Sequence, residues 1–444
     1  MLLSQSLLPG ILVLTLLLQA ALPARRLLIV NSGAGLACLA CAWLGLGTAA
    51  ELLAEVPWDV LVMLVALGLL SEMIADSRVF GFFALKSTRL SRADPARVLV
   101  TFCVGMYVAS GVVNNLTALI LVLPVLLILL QLMGVAQRYL AWCLGALLVS
   151  CNLGGAATPI GDFPAILLLG RGSMTFTAYL SHALPATLVA LGALLTVVLV
   201  VVRPQRVPQH QTDDRGAGLS VAVMGALYRN ARIDWPVLAP AAVMLALMLA
   251  GWTLLPRSTG MTPELVCWLG VAGALVLRPA LGETLLRRRV DVEAALFLLS
   301  LFVMVGAVRR SGLFRDAAEL LAALPVSPLL QLMAFLILAG VLTGLFSAGP
   351  SMAALLDVAQ GLATRMDPPA VYVGLALSVC AGSSLFLTAA TSGPMAQTLT
   401  ERAELKDTSG TLLRFGFVEF LPVGILSFAI IQCVALGYAL LRVW

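Results

Sequence analysis

The chain has 444 residues, of which 61% are hydrophobic and only 11% are charged, and its formal net charge is +5. Soluble proteins average about 45–50% apolar and about 25% charged residues, so this composition excludes a sizeable soluble domain and indicates an all-α polytopic membrane protein. No basic tract is dense enough for a nucleic-acid interface, and the 8 cysteines and 2 histidines show no spacing typical of a metal site.

The predicted elements begin with an apolar run at 7–23. This run is interpreted as a first span rather than a signal peptide, because no basic residue precedes it while Arg25 and Arg26 follow it, which predicts an outside N-terminus. With the span at 27–47 it forms a predicted N-terminal scaffold over 1–50. Further spans are predicted at 57–75, 179–202, 235–255, 263–279, 291–308 and 415–441, for about 11 crossings in all.

Two segments, 98–133 and 328–364, are each roughly twice the length of one crossing and carry a polar break near the middle. Each is either a re-entrant hairpin or one long tilted crossing. If both are hairpins, roughly 20 of the 27 basic residues fall on the cytoplasmic side, whereas two full crossings give about 15 against 12. We therefore predict two hairpins, the first entering from the cytoplasm and the second from outside.

The second half of the chain repeats the first. Ser77–Arg78–Val79–Phe80 follows one span as Ser311–Gly312–Leu313–Phe314 follows another, and at the same offset Asn114–Asn115–Leu116–Thr117 meets Ala348–Gly349–Pro350–Ser351. Inverted repeats with interrupted helices in matching places are typical of secondary transporters. We predict a first repeat at 51–202 with a broken helix at 139–170, and a cytoplasmic linker at 203–234. An inverted repeat at 235–444 follows, with its own broken helix at 371–399.

The stretch CNLGGAATPIGDFPAILL at 151–168 places helix-breaking residues inside an apolar segment. Non-helical backbone at membrane depth is tolerated only where protein or a watery cavity surrounds it. We predict an unwound segment over 152–164, caused by Gly154, Gly155, Pro159, Gly161 and Pro164. Its carbonyls can ligate Na⁺, its restarted helix offers a positive end to an anion, and the further candidate ligands are Thr158, Asn114, Asn115 and Asn152. The structural alternative is that the glycines only allow close helix packing and the prolines only kink a continuous helix.

Asp162 is the strongest single candidate for a functional residue. A carboxylate at membrane depth costs several kcal/mol unless it is partnered. Desolvation favours its protonated form and a bound cation favours its ionised form, so one group carries H⁺ or Na⁺ but not both easily. Asp162 is therefore the predicted proton-coupling residue, and a carboxylate that only caps the restarted helix is the alternative. Asp357 and Glu419 stay open between interfacial placement and a proton path.

The hairpin motif at 114–117 and the motif at 152–164 resemble the ion transporter superfamily, which includes arsenite permeases, sodium/proton antiporters, the melanosomal P protein and the citrate and dicarboxylate carriers. A magnetosome-membrane branch is similar around Gly161–Asp162–Phe163–Pro164. The resemblance extends over roughly residue 57 to the end. It implies a homodimer in the plasma (inner) membrane, or in an internal membrane, whose protomers combine a scaffold with a transport domain that moves like an elevator.

The resemblance also implies cation sites at the hairpin tips and the unwound helices. Thr117 joins the first site, and the second site draws on Ser347, Gly349, Ser351, Ser383, Ser384 and Thr388. Ala348–Gly349 stands where an asparagine is expected, which puts the second site in doubt. We predict a secondary active Na⁺/H⁺ antiporter with Na⁺ or H⁺ as coupling ion and no other cofactor; the alternative is a Na⁺- or H⁺-coupled carrier of a small anion such as citrate, a dicarboxylate or arsenite. An enzyme is not expected, because no nucleophile and base pair is visible.

Overall fold

The computed structural model describes residues 2–22, 25–92, 94–171, 173–202, 232–255, 260–323, 325–390, 392–407 and 409–443. Every regular element within these residues is a helix. Nine of the described helices are long and apolar enough to cross a bilayer, and four shorter ones are also apolar. An all-α membrane protein is therefore confirmed, while the predicted linker at 203–234 lies almost wholly outside the described residues.

The helices of the first half are α1 (Leu2–Ala21), α2 (Arg26–Trp43), α3 (Ala49–Ala54), α4 (Trp58–Asp76), α5 (Val79–Ser91), α6 (Pro95–Ser110), α7 (Asn115–Met133), α8 (Gln137–Ala157), α9 (Phe163–Gly170) and α10 (Phe176–Val202). Those of the second half are α11 (Trp235–Leu254), α12 (Pro263–Val276), α13 (Pro279–Arg288), α14 (Val292–Arg310), α15 (Leu313–Ala323), α16 (Pro328–Phe346), α17 (Ala348–Ala363), α18 (Pro368–Ser383), α19 (Ser392–Arg402) and α20 (Phe417–Val443).

Helices α6 and α7 form the first predicted hairpin, called hairpin 1 (95–133). The Tyr139 hydroxyl donates to the Pro95 carbonyl at 2.6 Å, and the Ser110 hydroxyl donates to the Cys151 carbonyl at 2.7 Å. These contacts join the start of α6 to the start of α8 and the end of α6 to the last turns of α8, so the two helices run parallel. Helix α7 must then return the chain to Gln137, so hairpin 1 starts and ends at the same end of the molecule.

Helices α16 and α17 form hairpin 2 (328–363) in the same way. A Cβ atom at Gly374 would lie 2.9 Å from Leu336, and one at Gly382 would lie 2.9 Å from the Gly344 nitrogen, so α16 runs parallel to α18. Helix α17 returns the chain to Pro368. Both hairpins are confirmed.

The two hairpins start at opposite ends of the molecule. The Arg414 N–H donates to the Gln137 side chain at 2.9 Å, where hairpin 1 ends, while Arg442 pairs with Asp367 at 3.0 Å, where hairpin 2 ends. Helix α20 spans the distance between these contacts. We call these the hairpin-1 end and the hairpin-2 end, and their opposition confirms the inverted repeat.

Four short helices, α3, α5, α13 and α15, were not predicted. Two of them belong to the repeat, because α5 follows α4 after two residues just as α15 follows α14. Both carry charged residues, such as Lys86 in α5 and Arg315 in α15. A search for continuous apolar runs passes over helices with one polar face.

The prediction of an unwound segment over 152–164 is wrong at its start. Helix α8 continues to Ala157, so Gly154 and Gly155 are helical, and the break covers only 158–162. Thr158 is extended, with φ −132° and ψ 148°, and Pro159 has no N–H to donate. The helix therefore ends at the proline rather than at the glycines.

Candidate ion-binding site

A small cavity lies where the break of the first half meets hairpin 2 and α18 of the second half. The space open to the centre of a water-sized sphere is about 10 Å³, which is room for about one water molecule. Residues from both halves line it, including Ala156, Asp162, Tyr179, Ala348, Cys380 and Ser383. The inverted repeat thus brings its two halves together at one point.

Asp162 is a half-buried carboxylate on the wall of this cavity. Its Oδ1 accepts a hydrogen bond from the Phe163 N–H at 2.9 Å, so it caps α9 as the structural alternative predicts. The side chain of Asn115 is its other hydrogen-bonding neighbour. Among the described residues Asp162 forms no ion pair. Its carboxylate therefore has no fixed positive partner.

Asn115, the first residue of α7, is buried beside Asp162 and accepts a hydrogen bond from the Ser110 hydroxyl. Gly155 makes this approach possible. A Cβ atom there would lie 2.8 Å from the Asn115 Nδ2 and 2.9 Å from the Asp162 Cβ. No side chain fits at that point without displacing one of the two groups.

Gly154, Thr158 and Gly161 hold the break against hairpin 1. A Cβ atom at Gly154 would lie 2.9 Å from the Tyr107 backbone, and one at Gly161 would lie 3.2 Å from the Ser110 carbonyl carbon. The Thr158 hydroxyl donates to the Gly111 carbonyl at 2.6 Å. These residues position the site, and the Thr158 hydroxyl donates its hydrogen bond to the hairpin turn.

Asn152 joins the two halves. It is 5% exposed, and its Nδ2 donates to the Ser384 hydroxyl at 3.1 Å and to the Ser383 carbonyl at 3.3 Å. Ser383 itself lines the cavity. Asn152 therefore fixes the end of α18 relative to the break in the first half.

Two of the predicted site residues, Asp162 and Ser383, line the cavity itself, and the others lie outside its lining. Asn114 is exposed and its side chain caps α7 by accepting from the Leu116 N–H at 2.9 Å. Thr117 is half-buried on α7, and Thr388 is exposed.

The tip of hairpin 2 closes the cavity from the second half. Ser347 connects α16 directly to α17 and has φ 71°, a conformation that costs a non-glycine residue about 1–3 kcal/mol. A Cβ atom at Gly349 would lie 3.6 Å from the Phe163 ring, so the tip packs on the start of α9. The buried Ser351 hydroxyl has no hydrogen-bond partner among the described residues.

The starts of α9 and α17 both lie at the cavity, since Pro164 and Ala348 line it. A helix start carries a partial positive charge of about half an elementary charge. These two helix ends stabilise negative charge at the cavity, which is supplied either by Asp162 itself or by a bound anion.

Tyr179 was not predicted as a site residue. Its hydroxyl donates to the Ala156 carbonyl at 2.7 Å, and its side chain is buried at the cavity. A tyrosine inside a span needs a buried hydrogen-bond partner, and that requirement was the available signal in the sequence.

A family model described as "Citrate transporter" (CitMHS) matches residues 12–382. The chain belongs to the CitMHS family. An uncharacterized transporter of Mycobacterium tuberculosis is 28% identical to this CitMHS chain over 375 residues, covering 82% of the chain and 81% of the relative. The magnetosome protein MamN of Paramagnetospirillum magneticum is 25% identical over 381 residues, covering 84% of each.

The YdaH transporter of Alcanivorax borkumensis has a similar structure. The TM-score is 0.54 at 16% identity, and the match covers 88% of this chain and 85% of that one. At this identity the likeness concerns the fold alone. The family and the relatives identify the CitMHS chain as a membrane transporter.

Proposed function

We propose that this CitMHS transporter is a secondary active cation/proton antiporter that exchanges Na⁺ for H⁺ at Asp162. The observation that carries the proposal is a half-buried carboxylate, without an ion pair among the described residues, on a cavity with room for about one water. A dehydrated monovalent cation fits such a space, while a tricarboxylate does not.

The chemistry follows from competition for one group. A proton neutralises Asp162 when the cavity is empty, and Na⁺ favours its ionised form when bound. Hard cations prefer oxygen ligands, and the cavity lining includes Asp162 and Ser383, whose side chains both carry oxygen. The starts of α9 and α17 reduce the cost of the ionised form once the proton has left.

The alternative is a Na⁺- or H⁺-coupled carrier of a small anion such as citrate, a dicarboxylate or arsenite. The two helix starts at the cavity favour it, because they attract negative charge without any arginine. In that case Asp162 binds the coupling ion, and a wider conformation admits the anion.

The test measures proton movement in proteoliposomes after addition of Na⁺, Li⁺, K⁺, citrate or arsenite. We expect Na⁺ to drive protons out against their gradient in the wild type. Asp162→Asn keeps the shape but exchanges no proton, so its signal falls to that of empty liposomes. Glu283→Gln removes an exposed carboxylate on α13 and serves as the matched control.

Two results contradict the proposal. If Asp162→Asn exchanges Na⁺ as the wild type does, the carboxylate has no part in exchange. If proton movement follows the addition of citrate or arsenite but of no cation, the protein is an anion carrier and not a cation/proton antiporter.

We further propose that the hairpin-1 end faces the cytoplasm of a plasma (inner) membrane, which leaves the N-terminus outside. The exposed basic residues of this end support the orientation under the positive-inside rule; among them are Arg78, Lys86, Arg89, Arg92 and Arg97. The similarity to MamN makes an internal membrane the alternative location. We also propose a homodimer whose hairpins move like an elevator. The accessibility of a cysteine introduced at each end of the molecule tests the orientation.

A further inference from the structure

A second, apolar cavity of about 200 Å³ lies beside hairpin 1, and none of the described residues that line it also lines the cavity at Asp162. It lies between α5, α6 and α11, and its lining includes Val79, Phe83, Ser87, Gly105, Val112 and Leu245. Phe83 is 52% exposed and Val112 is 38% exposed, so the cavity opens on the outer surface of the membrane-spanning region. We call it the α5–α11 groove.

The groove is continuous along hairpin 1. Its α6 residues run from Phe102 to Ala109, a rise of about 10 Å, and the lining continues to Val112 beyond the end of α6. Val112 belongs to the turn at 111–114, whose Asn114 precedes the buried Asn115 of the ion site. One end of the groove therefore touches the tip that positions Asp162.

Basic residues flank the groove along α5. Arg78 adjoins Val79, and Lys86 adjoins Ser87; both basic residues are exposed, and neither forms an ion pair within the described part of the chain. Arg232 and Asp234 lie exposed just before α11, and the Asp234 N–H donates to the Ser77 carbonyl at 2.9 Å, which keeps this segment beside the start of α5. These four residues together carry a net positive charge.

We propose that the α5–α11 groove binds one acyl chain of an anionic phospholipid, whose phosphate lies between Arg78 and Lys86. The apolar lining excludes an ion or a polar substrate, because Ser87 is the one polar side chain among the described residues that line it. The size excludes a partner helix, which is about 10 Å across and needs far more than the volume of this groove. A single file of methylene groups fits, and exposed basic residues near a membrane surface attract anionic headgroups.

The chain offers a substitution that fills the groove. A Cβ atom at Gly105 would have the Ser87 Oγ at 3.8 Å as its nearest neighbour, so a larger side chain enters the groove without meeting backbone. Gly105→Phe therefore occupies the space of the acyl chain. Gly192→Phe is the matched control, because Gly192 is exposed on α10 and has nothing within 4 Å.

The experiment uses the purified full chain in vesicles of phosphatidylcholine that contain traces of a lipid with a photoreactive acyl chain. The headgroup is phosphatidylglycerol in one arm and phosphatidylcholine in the other, and peptide mapping locates the crosslinks. We expect the phosphatidylglycerol probe to label 79–87 and 105–112 above all other membrane-facing segments. Gly105→Phe abolishes this labelling, and Gly192→Phe retains it.

A double variant, Arg78→Gln with Lys86→Gln, tests the headgroup. Each basic residue near an anionic surface changes lipid affinity by about fivefold, so the preference for phosphatidylglycerol falls by roughly 25-fold while phosphatidylcholine labelling is unchanged. Uniform labelling of all membrane-facing helices, or unchanged labelling in Gly105→Phe, overturns the proposal. Equal labelling by both probes in the wild type overturns the choice of an anionic lipid.

Discussion

The Asn152 amide donates a hydrogen bond to the Ser384 hydroxyl at 3.1 Å and thereby joins two residues 232 positions apart. The donor lies in the last turns of α8, and the acceptor is the cap of α18, the corresponding helix of the inverted half. The same amide reaches the Ser383 carbonyl at 3.3 Å. Because Ser383 lines the cavity opposite Asp162, this pair of bonds sets the spacing between the two walls of the ion site.

Replacing this amide destabilises the protein. We expect Asn152→Ala to lower the free energy of unfolding by about 1–3 kcal/mol, because the buried Ser384 hydroxyl loses its donor. Thermal unfolding in detergent measures the change. Asn114→Ser is the control, since Asn114 is an exposed helix cap and serine caps equally well. Identical melting of Asn152→Ala and wild type contradicts the structural role.

A methyl group at Gly155 disturbs the ion site. Its Cβ atom would lie 2.8 Å from the Asn115 Nδ2 and 2.9 Å from the Asp162 Cβ, so one of these groups must move. We expect Gly155→Ala to reduce stability by about 1–3 kcal/mol and to raise the cation concentration needed for half-maximal transport. Flux titration measures the second effect. Gly192→Ala, in open space on α10, leaves both quantities unchanged, and a normal titration of Gly155→Ala disproves the contact.

The two partners of the Arg309–Asp357 ion pair respond differently to substitution. Arg309 donates two hydrogen bonds to Asp357, at 2.7 and 2.8 Å, and so connects α14 to hairpin 2. Arg171, at the end of α9, interacts electrostatically with both residues. Without Asp357 two guanidinium groups repel each other, whereas without Arg309 the carboxylate keeps Arg171 as a positive neighbour.

We therefore expect Asp357→Asn to destabilise the chain by about 1–3 kcal/mol and Arg309→Gln to destabilise it less. Chemical or thermal unfolding of both single variants and the double variant measures the coupling. Equal losses for the two single variants argue against a contribution from Arg171. Arg315→Gln, an exposed residue of α15, is the control for a removed charge.

The ion pair between Glu51 and Arg310 makes stability depend on pH at the hairpin-2 end. Arg310 donates to the Glu51 carboxylate at 2.7 Å and holds the pKa of Glu51 below its usual value. The folded state thus binds fewer protons than the unfolded state. This stabilisation is present above the usual pKa of Glu51 and is lost as the pH falls through the lowered value.

We expect a small fall in melting temperature as the pH drops below about 4.3, the usual pKa of a glutamate, and the fall is small because Glu51 is exposed. Glu51→Gln removes that part of the pH dependence, and melting curves across the range measure it. If the melting temperature of Glu51→Gln changes with pH as that of the wild type does, the titrating group is not Glu51.

The hairpins and the inverted repeat were predictable because their signals are global. Segment length and the distribution of basic residues depend only on sequence, and both favoured hairpins at 98–133 and 328–364. The bounds Pro95–Met133 and Pro328–Ala363 follow from the capping residues Asp94 and Ser327, whose side chains accept from the N–H groups of Arg97 and Leu330.

The details of the site depended on contacts that only the fold creates. Asn114 and Asn115 are neighbours in sequence, yet Asn114 is the exposed cap of α7 and Asn115 is its buried first residue. The glycines of 154–155 stay helical because Tyr107 and Asn115 pack against them. The charged helices α5 and α15 lacked a continuous apolar run and so gave no signal to a hydropathy search.

The equal lengths of α6 and α17, 16 residues each, have an electrical consequence. Each helix connects one end of the molecule with the tip beside the cavity, over about 24 Å. If Asp162 binds the transported ion as proposed, an ion that enters from either solution crosses about half of the membrane field before it meets Asp162. A potential of 100 mV changes its binding free energy by about 1.2 kcal/mol, or roughly sevenfold in affinity, with opposite sign for the two directions of entry. Membrane voltage would thus load this site from one side and empty it toward the other.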